Sequence, residues 1–219
     1  MKLAAFVVVA VIAFVAWAGG PASFAADGNN ISSVNGSVKG EAGQTYGKLS
    51  AVNGNVRVGR GTIVDTAKTV NGEIEVEPDA RLGEVSTVNG SLDIGEGVSI
   101  ERTASTVNGE VEIGNRARVG GDVTTVSGEI ELKGAEVGGS LITSNGDIEL
   151  ADGARVRGGI HVKKKGGSDW GWGKDEPLEV HICGTCIVDG ELRFDRPVSL
   201  RVDQGAKIGR VIGDEVTRR

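Results

Sequence analysis

The pair Asn-Gly occurs at Asn35, Asn53, Asn71, Asn89, Asn108 and Asn145, and Ser127-Gly128 stands in once. The steps between these positions are 18, 18, 18, 19, 19 and 18 residues. Val precedes the pair at Val34, Val52, Val70, Val88, Val107 and Val126. A fixed period of this length belongs to repeat architectures, in which one copy buries its apolar face only by stacking on the next.

One copy is Thr69 to Ser86, TVNGEIEVEPDARLGEVS. Alternation predicts Val70, Gly72, Ile74 and Val76 inside and Asn71, Glu73 and Glu75 outside, the period-two pattern of a strand with one buried face. Pro78-Asp79 turns the chain, and Ala80, Leu82 and Val85 form a second apolar stretch. The core motif recurs as Leu92/Ile94/Val98, Val111/Ile113/Ala117, Ile148/Leu150/Ala154, Val180/Ile182/Cys186 and Leu200/Val202/Ala206. No stretch after the first 25 residues has helical periodicity. The expectation is an all-β chain: a single-stranded parallel β-helix, or β-solenoid, of about nine coils of 18–19 residues. At a strand spacing of ~4.8 Å such a rod is roughly 43 Å long. Gly after Asn suits a corner needing positive φ. The asparagines would stack in a ladder whose amides bond coil to coil. The competing architecture is a series of Asn-Gly β-hairpins, which the unequal flanks of each pair disfavour.

Composition agrees with stacked corners. Gly makes up 36 of 219 residues, Pro only 4, and aromatics 4%. The chain opens with Lys2, an apolar run Leu3–Ala18, a Gly-Gly-Pro break and small residues before Ala26, the layout of a secretory signal peptide cleaved after Ala25. The expected organisation is therefore a signal peptide at 1–25, a solenoid at 26–212 with an insertion at about 163–176, and a polar tail at 213–219. The expected location is periplasmic or secreted, with membrane attachment only if the signal is uncleaved. A net charge of −6 and the lack of a dense basic face exclude nucleic acid as a partner.

The stretches GARVRGGIHV (153–162) and GGDVTTVSGEIEL (120–132), on this pitch, resemble the bactofilins, a polymer-forming cytoskeletal family. The close, CIVDGELRFDRPVSLRVDQGAKIGRV (186–211), is similar to secreted bacterial proteins grouped with them. The serial Val-Asn-Gly pattern also resembles an adhesin-type repeat family. The bactofilin resemblance implies a right-handed, triangular β-helix that polymerises end to end.

Several residue sets carry chemistry. The outward position between the two apolar strand residues reads Lys39, Arg57, Glu75, Asp93, Glu112, Glu131, Glu149, His181, Arg201. The five acids Glu75, Asp93, Glu112, Glu131 and Glu149 form a ledge suited to divalent or polymeric cations, or simply a solvated face that blocks lateral growth. Arg81, Arg118, Arg155 and Lys207 suggest a basic column elsewhere on the coil. Cys183 and Cys186 admit four readings: a local disulfide, a buried reduced pair, a metal site with His161 and His181, or redox catalysis. Trp170 and Trp172 lie in the Gly-rich segment 163–176 and would either bind sugars or a partner or fold back over the coil. No nucleophile, phosphate-cradling or zincin motif is present, and no cofactor is expected. These features point to a non-enzymatic exported scaffold in the cell envelope that self-associates. The alternative is a module that binds envelope polysaccharide or protein through the tryptophans or the acidic ledge.

Overall fold

The computed structural model describes residues 29–164, 176–213 and 216–218. The segment at 1–25, and Trp170 and Trp172, lie outside the described residues. All strand pairs among the described residues are parallel, and successive partners are one coil apart in sequence. Hairpins are thereby replaced by a β-solenoid of about nine coils, each contributing to three strand faces.

The first face stacks strands from Val38–Gly40 through Ile74–Val76, Val111–Ile113 and Ile148–Ala151 to Val198–Val202. Alternation there is strict. Val56, Ile74, Leu92, Val111, Ile130 and Ile148 point inward and are fully buried, as are their i+2 neighbours Val58, Val76, Ile94, Ile113, Leu132 and Leu150. The second face stacks Leu82, Ile100, Val119, Val137 and Val156 inward, and the third stacks Val85, Ala104, Val123, Leu141 and Ile160. In the early coils, strands Thr45–Asn53, Ile63–Lys68 and Arg81–Ser86 run unbroken from the second face to the third. From Ser99 onward the two faces hold separate strands.

The Asn-Gly corner is set by backbone proximity. A Cβ on Gly90 would sit 1.9 Å from the carbonyl oxygen of Gly72, and one on Gly54 2.3 Å from that of Gly36. No side chain fits that gap, so stacking itself selects glycine in each coil. Inside this corner runs a threonine column. Thr69, Thr87, Thr106 and Thr125 donate to the carbonyls of Gly54, Gly72, Gly90 and Gly109 at 2.8–3.2 Å. These bonds satisfy the hydroxyls within the apolar interior.

One expectation is corrected. Val70, placed inside by simple alternation, points outward, because Thr69 occupies the inward position and the chain bends between Thr69 and Ile74. Its column, Val34 to Val126, forms an apolar stripe on the outside, with Val34 61% exposed at its start. Within the polar stretch 213–219, Val216–Arg218 adds a strand to the first face beside Val198–Leu200.

Tyr46 and Phe194 are buried in opposite end coils, where neighbours on one side are few. Tyr46 replaces the Val64 and Leu82 of the coils above it, and its hydroxyl accepts the Glu41 amide at 3.0 Å. Phe194 follows Val162 in register on the third face.

Candidate functional site

The first face carries the acidic ledge. Pairing places Arg57, Glu75, Asp93, Glu112, Glu131, Glu149, His181 and Arg201 on adjacent rungs in one column. Two positions before each of these acids stands a second column that includes Glu73, Glu110, Glu129 and Asp147. Like charges this close raise one another's proton affinity. Burial, then Glu112, Glu75 and Glu73, pushes the Asp93 carboxyl above the usual carboxylate range. Burial, then Glu110, Glu131, Asp147 and Glu149, does the same to Glu129.

The ledge is bounded and partly neutralised by the chain itself. Arg57 lies 2.5 Å from Glu75 at one end, and His181 lies 3.7 Å from Glu149 at the other. Lys133 leans across the middle, 2.6 Å from Glu112 and 3.0 Å from Glu131, and these hydrogen bonds raise its own pKa. Carboxylate oxygens of Glu110, Glu112 and Glu131 lie within 4.8 Å of one another, a spacing that suits a cation. The Lys133 ammonium already serves two of the three. Lys133 escapes a column-by-column reading because it belongs to the neighbouring outward position; its place two residues after Glu131 is the only sequence signal.

At the C-terminal end of the ledge a groove of about 460 Å³ is lined by Glu129, Asp147, Glu149, Glu179, His181 and Arg201, among others. His181 Nε2 lies 3.0 Å from Asp203, and this hydrogen bond holds the Asp203 carboxyl below its ordinary range. His161 stands on the third face, 2.8 Å from Asp195, and lowers that carboxyl in the same way.

The metal set of His161, His181, Cys183 and Cys186 does not assemble. Cys183 and Cys186 are joined in a disulfide, with Cα atoms 5.1 Å apart, so neither sulfur is available as a thiolate. The two histidines point from different faces, each toward its own aspartate. The bonded pair corresponds to the local-disulfide reading and not to the buried reduced pair. Its loop is a corner between the first and second faces, with Cys186 in the buried small-residue position held elsewhere by Ala117 or Ala154.

The basic column is discontinuous. In register it reads Arg81, Ser99, Arg118, Glu136, Arg155, Ile187, Lys207. Arg118 lies 3.6 Å from Glu136, and Arg155 binds Asp189 at 2.8 Å. The charges of Arg118 and Arg155 are thus compensated within this face.

The asparagine ladder runs from Asn35 to Asn108. Asn53, Asn71, Asn89 and Asn108 each donate Nδ2 to Oδ1 of the Asn one coil earlier, at 2.8–3.1 Å. Ser127 interrupts it, and Asn145 is joined to the stack through backbone bridges. Instead, Asn145 Oδ1 accepts from Arg196 at 3.3 Å. Arg196 is 8% exposed and also donates to the carbonyls of Ser144 and Glu176. It occupies the corner where the next coil lacks Asn-Gly and where residues 163–176 depart. The missing repeat at that corner, with Pro177 and Pro197 ahead of the paired residues Leu178 and Val198, was the available signal for a substitute.

Comparison of this chain with family models, with curated proteins and with solved structures gives no match in any of the three.

Proposed function

We propose that this chain is an exported, non-enzymatic β-solenoid that acts as a structural scaffold in the cell envelope by associating end to end. The observation that carries this is the last coil. Strands Lys207–Ile208, Val211–Ile212 and Val216–Arg218 are the final described rungs of the three faces. Val202, Ala206, Ile208, Val211 and Val216 pack on the core but stay only partly buried. Their counterparts one coil earlier, Ile182, Cys186, Val188, Leu192 and Val198, are fully buried. A further coil would complete that burial, and the Ile31–Asn35 and Val38–Gly40 strands of a second copy present a parallel edge of the same kind. Head-to-tail contacts of this type do not close and therefore yield filaments. The resemblance to polymer-forming repeats and the signal-like opening support the same reading.

The test is electron microscopy and sedimentation of the protein lacking residues 1–25. Filaments that lengthen with concentration are expected, and Ile208→Lys with Val211→Lys should abolish them while leaving the β-rich spectrum intact. A wild-type protein that stays monomeric at high concentration sinks the proposal.

The groove favours a second reading, in which the first face binds cationic groups of an envelope polymer or surface protein. Its lining comes from coils that precede and follow residues 163–176 in sequence, the segment that contains Trp170 and Trp172. Pulldown on envelope polysaccharide, comparing wild type with Glu149→Gln and with Trp170→Ala/Trp172→Ala, tests it. Equal retention of all three counts against it.

A further inference from the structure

Five of the six Asn-Gly pairs are held on both sides of the bond that joins them. The amides of Gly36, Gly54, Gly72, Gly90 and Gly109 donate to the carbonyl of residue 53, 71, 89, 108 or 127 in the next coil, at 2.9–3.0 Å. Each of the five asparagines also takes part in the side-chain ladder. Asn145-Gly146 differs. In the next coil the positions in register with Asn145-Gly146 are Pro177-Leu178, and among the described residues the Gly146 amide donates to no backbone oxygen. Ser127 removes the ladder partner on the other side, and no hydrogen bond from Asn145 Nδ2 is present among the described residues. The single side-chain partner shown for Asn145 is a cation: the Arg196 guanidinium, 3.3 Å from Oδ1.

From this geometry we infer that Asn145-Gly146 is a self-modification site, at which the folded protein deamidates through a succinimide. The Gly146 nitrogen gives its proton to solvent base and attacks Asn145 Cγ, forming the N–C bond of a five-membered ring. Negative charge collects on Oδ1, next to Arg196, where a fixed guanidinium stabilises it. The Cγ–Nδ2 bond then breaks, and Nδ2 takes up a proton and leaves as ammonia. Water opens the ring at either carbonyl, giving an aspartyl or an isoaspartyl linkage. The sum is amide plus water to carboxylate plus ammonium, with no oxidant or reductant. Glycine in the second position leaves the attacking nitrogen unshielded by a Cβ, a property all six pairs share. What distinguishes this one is a nucleophile with no backbone acceptor among the described residues and a charged partner on the electrophile. The new carboxylate lies against a buried arginine, so a hydrogen bond with one charged partner becomes an ion pair.

The experiment is incubation of purified protein at mildly alkaline pH, with peptide mapping by mass spectrometry and isoaspartate detection at each Asn-Gly. A denatured sample measures the unprotected rate at every pair. In the folded protein Asn35, Asn53, Asn71, Asn89 and Asn108 should react at least about tenfold more slowly than when denatured, since their reacting groups are hydrogen-bonded. Asn145 should react as fast as in the denatured chain or faster. Arg196→Lys, which keeps a charge but loses the planar fork, should slow Asn145 several-fold while the ladder positions stay protected. If that variant unfolds, all five ladder positions accelerate together, and the folded-to-denatured ratio of the wild type decides alone. Protection of Asn145 equal to that of the ladder overturns the inference, as does an unchanged Asn145 rate in a folded Arg196→Lys.

Discussion

At the residue scale, the corner glycines and the crowded acids dominate. Gly90→Ala drives a methyl to 1.9 Å from the Gly72 carbonyl, and no rotamer relieves a backbone clash. The expected result is a loss of more than about 3 kcal/mol in urea unfolding, or no folded protein at all. Asn89→Ala removes two ladder bonds, one donated and one accepted, from an exposed column. It should cost about 1–2 kcal/mol by the same measurement. The acids titrate in two opposing groups. Asp93 and Glu129 have raised pKa values, so their contribution to stability is present at low pH and lost as pH rises through those values. Asp195 and Asp203 have depressed values, so theirs is present at neutral pH and lost as pH falls through them. Melting temperature should therefore rise as pH is lowered from 7 through the raised values of Asp93 and Glu129, and fall once pH drops below the ordinary carboxylate value of about 4. Asp93→Asn should raise the melting point at pH 7 by about 1–3 °C and flatten the upper limb. A melting point that falls steadily from pH 7 downward would contradict this.

At the scale of the strand and corner, position relative to the bend decides which side chains matter. Val85 and Val88 are three residues apart in the same coil, yet Val85 is fully buried and Val88 lies on the outer stripe. Val85→Ala should cost about 2–3 kcal/mol, whereas Val88→Thr should stay within about 0.5–1 kcal/mol. Equal effects in urea unfolding would place Val88 in the core. The disulfide corner is supported independently by a bond from the Cys186 amide to the Cys183 carbonyl, 2.9 Å. Such a short loop has little closure entropy to lose, so Cys183→Ser/Cys186→Ser should cost no more than about 2 kcal/mol and leave the coil in place.

At the scale of the molecule, stability is shared along the stack, because each coil contacts only its neighbours. The interior is narrow and aliphatic through its length, with the buried rings Tyr46 and Phe194 near its ends. The three faces differ in charge: the first is acidic, while the second compensates its charges locally. Repulsion along the first face acts against the folded rod and is screened by salt. Raising the salt concentration should accordingly raise the melting temperature of wild type, and less so for a variant combining Asp93→Asn with Glu112→Gln.

The 18-residue period was enough to derive the solenoid, the parallel pairing partners and the order of charges along the ledge. In a stack of equal coils, residues one period apart must lie on adjacent rungs, so one-dimensional spacing is already a contact list. The same logic pairs Asn53 with Asn71 and Asn71 with Asn89. It fails wherever a contact depends on the bend within a coil or runs between columns. Val70 turns outward because the corner breaks the alternation, and Lys133 reaches the acids from the next outward position. His161 and His181 are separated because they lie on different faces of the coil. Arg196 reaches back across the Glu176 position to Ser144 and Asn145, a contact between residues 51 and 52 positions apart that no single period describes. Those arrangements are set by where each corner falls in space, which is a property of the packed coils and not of the repeat that encodes them.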